Sequence, residues 1–154
     1  MSKSSVESRI EGFIVKFTPE VAAHMRAVRA RLHKRFPRGF EHVYDNYNAL
    51  AIGYGPSERV GDALVSIAAY PRWVTLFFLQ GVELADPKKL LSGSGSRVRS
   101  IRLSSPDDLD LPSTKAFIAQ TLKPRAAAFK AAPPLTTTIK TVSAKQRPRR
   151  PAKA

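Results

Sequence analysis

Two neighbouring apolar runs in the middle of the chain constrain its fold most strongly. Residues 72–79 read Arg-Trp-Val-Thr-Leu-Phe-Phe-Leu, and such β-branched and aromatic side chains are typical of a strand. Residues 62–70 have a similar texture, and only a short turn around Pro71 separates the two runs. A connection of that length favours a hairpin, so we expect the two strands to be antiparallel neighbours. Residues 48–54 predict a further strand.

An amphipathic helix is predicted over residues 18–36. Thr18 can cap its amino end with the hydroxyl, Pro19 suits the first helical position, and Pro37 ends the pattern. Apolar side chains recur at helical spacing along one face, namely Val21, Met25, Val28, Leu32 and Phe36. This is the most clearly indicated helix of the chain.

Shorter elements follow the central strands. Residues 97–103 predict a strand that can carry a bulge near Ser100. Residues 113–122 predict a helix, because apolar side chains line one of its faces and a proline ends it. We expect residues 125–131 to resume that helix.

The composition excludes several classes of protein. The chain has no cysteine among its 154 residues, which excludes a disulfide scaffold, a thiolate metal site and a cysteine nucleophile. No apolar run approaches the ~18 residues that a membrane span needs. The amino-terminal residues are polar and lack the apolar core of a signal peptide. We therefore expect a soluble cytoplasmic protein.

The positive charge is concentrated near the carboxyl end. The formal net charge is +14, yet residues 112–154 hold 10 of the 26 lysines and arginines and none of the 12 acids. We divide the chain into an extension at 1–16, a domain at 17–131, and a basic, disordered tail at 132–154. Removing residues 133–154 is accordingly expected to leave thermal stability nearly unchanged.

The tail has two readings of equal weight. It can contact the phosphates of a nucleic acid, or it can be a solubilising extension with general affinity for polyanions. It contains no aromatic residue on which a base could stack. The candidate nucleic-acid contacts are Lys145, Arg147, Arg149, Arg150 and Lys153.

A glycine-rich loop offers a candidate anion site. Glycines let consecutive backbone N–H groups converge on an anion, and neighbouring arginines can complete such a site. The candidate ligand-binding residues are Gly93, Ser94, Gly95, Ser96, Arg97, Arg99 and Arg102. The alternative is a flexible turn, since the loop matches neither the Walker pattern nor the dinucleotide fingerprint.

Neither a catalytic set nor a metal site is predicted. No serine lies in a nucleophile-elbow context with a histidine and a carboxylate, so we predict a non-enzyme with no cofactor. The Asp107, Asp108 and Asp110 cluster could accept a hard cation, but helix capping explains it without an ion. The polar residues Glu41 to Asp45 predict a turn with partly buried tyrosines, with a small pocket as the alternative.

The stretch from Phe17 to Leu122 resembles the YdhG-like family, whose members mostly have no assigned activity. The resemblance rests on the amphipathic helix, on the region from Tyr44 to Tyr54, and on three further runs. These are Ala68-Ala69-Tyr70-Pro71-Arg72-Trp73-Val74-Thr75-Leu76-Phe77-Phe78, Gly81-Val82-Glu83-Leu84 and Leu90-Leu91-Ser92-Gly93-Ser94-Gly95-Ser96-Arg97-Val98-Arg99-Ser100-Ile101-Arg102-Leu103.

The resemblance implies an α+β fold, with an antiparallel sheet and the amino- and carboxyl-terminal helices packed on one face. Some relatives are described as frataxin-like iron chaperones. This chain departs from the family at Tyr44-Asp45-Asn46-Tyr47, where relatives usually show a Tyr-Gly-Met-Pro-like turn. It also has Ser96 where relatives often have lysine. The helix predicted over residues 18–36 has a basic face, where the family has an acidic one.

The sequence therefore predicts a non-enzymatic binding module for a small anionic or phosphate-bearing ligand. One alternative is an intracellular iron-binding chaperone, which the resemblance and the aspartate cluster favour. The other is a nucleic-acid-associated protein tethered by its basic tail. No membrane partner is expected, and the ligand and the oligomeric state stay open.

Overall fold

The computed structural model describes residues 3–152 of the chain. The described helices are α1 (Lys3–Ile14), α2 (Pro19–Arg35), α3 (Pro112–Leu122) and α4 (Ala126–Ala131). The described strands are β1 (Phe40–Asp45), β2 (Leu50–Gly55), β3 (Val65–Ala69), β4 (Val74–Phe78), β5 (Arg99–Leu103) and β6 (Thr136–Val142). Short 3₁₀ helices cover Val60–Asp62, Gly81–Glu83, Pro106–Asp110 and Lys123–Arg125.

The strands of the described residues form a single six-stranded sheet in the order β5-β4-β3-β2-β1-β6. Consecutive strands from β1 to β5 pair antiparallel, which confirms the predicted hairpin of β3 and β4 and the α+β class. β6 pairs parallel with β1, and its register shifts between Val43 and Tyr44. The β1–β2 and β3–β4 turns lie at the same end of the sheet, because β2 and β3 are antiparallel.

The core is built from alternating side chains of the sheet. Those of β2, β3 and β4 are fully buried: Leu50, Ile52, Tyr54, Val65, Ile67, Ala69, Val74, Leu76 and Phe78. They form one hydrophobic cluster with side chains of α1, α2 and α3. Between them along the strands, Ala51, Ser66 and Phe77 are partly exposed, whereas Ala68 and Thr75 are also buried. The alternation of the larger apolar side chains specifies the register, because a one-residue slip would turn them to the other face of the sheet.

Helix α2 forms where it was predicted, because its signals are local. Thr18 caps it, and the Thr18 hydroxyl accepts a hydrogen bond from the backbone N–H of Val21 at 3.3 Å. Met25, Val28 and Leu32 are fully buried. The later helix also ends and resumes around Pro124 as predicted, with α3 and α4 on either side of the Lys123–Arg125 turn.

The amino-terminal extension predicted at 1–16 needs correction for its described part. Residues Lys3–Ile14 form α1, and Ile10, Phe13 and Ile14 belong to the hydrophobic core. Strand β1 was also missed, because Glu41, His42 and Asp45 look like a polar turn yet are buried. Partners elsewhere in the fold satisfy two of these groups, the carboxylates of Glu41 and Asp45, as described below.

The disorder predicted for 132–154 is wrong for residues 132–152. Seven of them form β6, and Arg149 further along is only 5% exposed. The prediction failed because Thr, Lys and Pro resemble a solvated tail, whereas β6 gains its hydrogen bonds from the edge of β1. Lys153, a candidate nucleic-acid contact, lies outside the described residues.

Strand β5 is regular, contrary to the expected bulge near Ser100. Its five residues pair in unbroken register with β4, from Val74 opposite Leu103 to Phe78 opposite Arg99. None of the described helices is long and apolar enough to cross a membrane.

Candidate functional site

A buried aspartate anchors the carboxyl-terminal segment, by which we mean residues 143–152. The Asp45 side chain is fully buried at the end of β1. Its two oxygens accept hydrogen bonds from Lys16 Nζ at 2.7 Å and from Arg149 Nη2 at 2.8 Å. Arg149 also lies 5.7 Å from the centre of the Phe17 ring. The segment is thereby fixed across the end of the sheet.

The charge state of this anchor follows from its partners. Burial raises the pKa of Asp45, but hydrogen bonds to Lys16, Gln146 and Arg149 lower it more, so the net pKa lies below its ordinary value. Asp45 is therefore ionised at neutral pH and holds Arg149 as an ion pair. Arg149 is a structural residue, and we exclude it from the accessible ligand-binding surface.

The best candidate site is the cleft that this anchoring creates, which we call the C-terminal groove. It has a volume of about 670 Å³. The β3–β4 turn contributes Tyr70, Pro71, Arg72 and Trp73, and the carboxyl-terminal segment contributes Arg147, Pro148, Arg150, Pro151 and Ala152. Asn48 completes the lining. A cleft of this volume is within the range of small-molecule sites.

Residues that line this groove take part in contacts between guanidinium groups and aromatic rings. The Arg102 guanidinium lies 3.9 Å from the centre of the Trp73 ring, and the Tyr70 ring lies 5.8 Å from that of Trp73. Arg147 lies 5.8 Å from the centre of the Tyr47 ring. A guanidinium over an aromatic face is held in place while its N–H groups stay free to bind an anion.

The groove is electropositive. Of the described residues that line it, three are arginines and none is acidic. Arg150 is partly committed, since its guanidinium donates to the backbone carbonyl of Lys16 at 3.2 Å. Arg72 and Arg147 are exposed, and within residues 3–152 no carboxylate pairs with either. These two side chains are the ones available to an anion.

The residues of the predicted glycine-loop site have different roles in the structure. Arg99 Nη1 donates to the loop's own carbonyls, at 2.7 Å to Gly95 and 2.8 Å to Val98. Arg99 also packs so closely on Gly81 that an added Cβ there would lie 2.4 Å from it. Arg99 therefore holds the loop instead of presenting its charge to a ligand.

In the structure, the remaining residues of the glycine-rich loop do not converge on one point at which an anion would bind. Gly93, Ser94, Gly95, Ser96 and Arg97 are exposed. Gly93 has a φ of +124°, a conformation that favours glycine and explains its place next to the bridge between Ser92 and Ser100. Arg102, the last predicted residue, stacks on Trp73 but is not among the residues that line the C-terminal groove.

A second polar cluster is centred on Glu41 of β1, one of the residues whose pattern predicted a polar turn. One Glu41 oxygen accepts from Tyr54 at 2.5 Å and lies 2.7 Å from His33 Nε2, and the other accepts from Thr137 at 2.7 Å. Arg29 donates to both oxygens, and it pairs with Glu7 as well. Burial raises the pKa of Glu41, but hydrogen bonds from His33 and Arg29 hold the net pKa far below its ordinary value.

The Glu41 cluster joins elements more than it offers a reactive group. Its members come from α1, α2, β1, β2 and β6, and the Glu41 carboxylate is fully buried. Both Glu41 oxygens accept hydrogen bonds from neighbouring side chains of the fold. The cluster therefore explains why β1 can bury a charge, and it supports the sheet on which the groove is built.

The aspartate cluster is also accounted for by contacts within the fold. Asp107 and Asp110 accept from Arg31 at 2.6 and 3.1 Å, and Asp108 accepts from the backbone N–H of Ser104 at 2.7 Å. Ser105, not Asp107, caps the short helix that follows. In residues 3–152 no group of three His, Asp or Glu side chains is placed to share a metal ion.

Comparison with known proteins gives no further guide. A scan against protein-family models found no matching family, and searches of curated proteins and of solved structures found no significant match. The YdhG-like resemblance therefore stays a prediction, and the side-chain geometry of the C-terminal groove carries the functional argument.

Proposed function

We propose that this protein is a non-enzymatic binding module for a small phosphate-bearing ligand that contains a planar ring. The C-terminal groove holds this ligand, and the glycine loop does not. The observation that carries the proposal is that Trp73, Arg72 and Arg147 line one cleft that has no acidic lining residue.

The residue types of the groove support each part of that ligand. An arginine fork matches phosphate oxygens in a bidentate geometry, and two arginines here are free of carboxylate partners within residues 3–152. Tyr70 and Trp73 supply ring faces and edges against which a planar group can pack. A nucleotide combines both features, so nucleotides are the first ligands to test.

A nucleic-acid strand is the second candidate. Arg147 is exposed beside Tyr47 and Lys145 is exposed just before it, so a strand's phosphates could approach the carboxyl-terminal segment. Single-strand binding combines such cations with stacking rings. Iron delivery is not favoured, because Arg31 occupies Asp107 and Asp110.

The experiment uses Trp73 as its reporter, since it is the single tryptophan of the chain. Tryptophan fluorescence is followed while ATP, AMP, ribose 5-phosphate or inorganic phosphate is added at low ionic strength. We expect a saturable change that is strongest for the nucleotides. Arg147→Ala should weaken binding about tenfold, because a hydrogen bond to a charged group contributes about 1.5 kcal/mol or more.

The matched control is Arg97→Ala, which removes an exposed arginine of the glycine loop. We expect it to bind the nucleotide as the unchanged protein does. The proposal is contradicted if Arg97→Ala weakens binding while Arg147→Ala does not, or if no nucleotide gives a saturable change. If a poly-dT strand changes the Trp73 fluorescence as strongly as ATP does, and the two compete for the groove, the result would instead favour the nucleic-acid candidate.

A further inference from the structure

A second cavity lies away from the C-terminal groove, between the carboxyl end of α2 and the helices α3 and α4. It has a volume of about 350 Å³. Its apolar lining includes Phe36, Leu122, Ala126 and Phe129. None of these residues takes part in the groove or in the Glu41 cluster, so the function proposed above leaves the cavity unexplained.

The apolar floor is backed by buried aromatic rings. Phe36 is 1% exposed, and its ring is stacked on that of Tyr54 with 5.2 Å between centres. The centre of the Phe36 ring also lies 5.6 Å from that of the Phe129 ring. Because Tyr54 is itself fully buried and bonded to Glu41, Phe36 is held from beneath. Leu122, Ala126 and Phe129, which are partly or fully exposed, supply the accessible apolar surface of the cavity.

The rim of the cavity is basic. Arg35, Arg38, Lys123 and Lys130 all line it, and no acidic residue is among its described lining. Arg35 lies 3.7 Å from Asp110, whereas Arg38, Lys123 and Lys130 have no carboxylate partner within residues 3–152. Cations beside an apolar floor complement a ligand that is apolar along its length and negative at one end.

We propose that this cavity binds a straight-chain carboxylate. The hydrocarbon chain lies against Leu122, Ala126 and Phe129, and the carboxylate is held at the rim by Lys123 and Lys130. A free phosphate would leave the apolar floor unused, and a neutral hydrocarbon would leave the cations unpaired. The proposal is independent of the C-terminal groove, since the two share no lining residue.

Calorimetric titration of the full chain with hexanoate, octanoate and decanoate tests this site. We expect affinity to rise about fourfold with each added methylene while the cavity still has room, because each buried CH₂ contributes a constant increment. Octanol should bind at least tenfold more weakly than octanoate, since it lacks the charge that the rim recognises. Chain-length-independent binding, or equal binding of octanol and octanoate, overturns the proposal.

Three variants locate the site. Lys123→Gln combined with Lys130→Gln should remove the preference for octanoate over octanol but keep the dependence on chain length. Ala126→Phe should fill the cavity and abolish binding of both, with an unchanged circular dichroism spectrum showing that the chain is folded. Lys115→Gln, an exposed lysine of α3 outside the lining, is the matched control and should bind as the unchanged protein does. Unaltered preference in the double variant contradicts the proposal.

Discussion

At the scale of single residues, Glu41 shows how this fold accommodates a buried charge. An ionised carboxylate is costly to bury unless it is paired and hydrogen-bonded. Here Arg29, His33, Tyr54 and Thr137 all reach it. Arg29 in turn is shared with Glu7 of α1. The polar residue that looked like part of a turn is therefore the point at which two helices and three strands meet.

Glu41→Gln should destabilise the protein by about 3 kcal/mol, because removing one partner of a buried ion pair leaves the other poorly compensated. Arg29 would keep the half-exposed Glu7 as its one carboxylate partner within residues 3–152. The free energy of unfolding is measured by urea denaturation. Glu58→Gln, at an exposed position, is the matched control, and its effect should stay within about 0.5 kcal/mol.

The pH dependence of the same variant adds a second test. The pKa of Glu41 is lowered in the folded state, so the unfolded chain binds more protons and stability falls as the pH falls. The contribution is complete above the unfolded pKa of about 4.3 and is lost below it. Glu41→Gln should therefore show a shallower loss of stability between neutral and acidic pH. An equal slope in both proteins contradicts this account.

At the scale of secondary-structure elements, the carboxyl-terminal segment and β6 differ most from expectation. β6 adds to β1 as a parallel edge strand, and Thr137 of β6 bonds to Glu41. Beyond it, Gln146 donates to the backbone carbonyl of Asp45 at 3.0 Å, and Arg149 pairs with the Asp45 carboxylate. Residues 133–152 are therefore part of the domain, not an appendage.

Removing residues 133–154 should lower the thermal unfolding midpoint, against the sequence-based expectation that stability stays nearly unchanged. The narrower test is Arg149→Ala, which should cost about 3 kcal/mol because Asp45 is left buried with only Lys16 as a charged partner. Arg147→Ala, two positions earlier and exposed, is the control and should cost less than about 1 kcal/mol. Equal costs for the two variants would show that Asp45 does not anchor the segment.

The elements that the sequence predicts well are those with local signals. Helix α2 carries its cap, its first-turn proline and its apolar stripe within one stretch. The β3–β4 hairpin is likewise contained in neighbouring residues. Strand β1 is hidden in the sequence because its polar residues are buried by partners distant in sequence. Strand β6 is hidden because it is mostly exposed and pairs with β1, which is far away along the chain. The groove is hidden because its two sides, the β3–β4 turn and the carboxyl-terminal segment, are far apart in sequence.

At the scale of the whole molecule, the net charge is +14, and the pairing of the acidic residues decides which lysines and arginines stay without a carboxylate partner. Glu41 and Asp45 are buried, and Asp107 and Asp110 face Arg31. Of the cations that have no carboxylate partner within residues 3–152, Arg72 and Arg147 line the C-terminal groove, and Arg38, Lys123 and Lys130 line the second cavity. Other such cations, Arg97 and Lys115 among them, lie elsewhere on the surface.

The most direct test of the central claim is chemical-shift mapping of the ¹⁵N-labelled full chain with ATP. The account predicts that the largest shifts occur at the Trp73 indole N–H and at the backbone amides of Tyr70 and Arg147, with small shifts in the glycine loop. Largest shifts at Gly93, Gly95 and Arg97, or no saturable shifts at the groove, would contradict it.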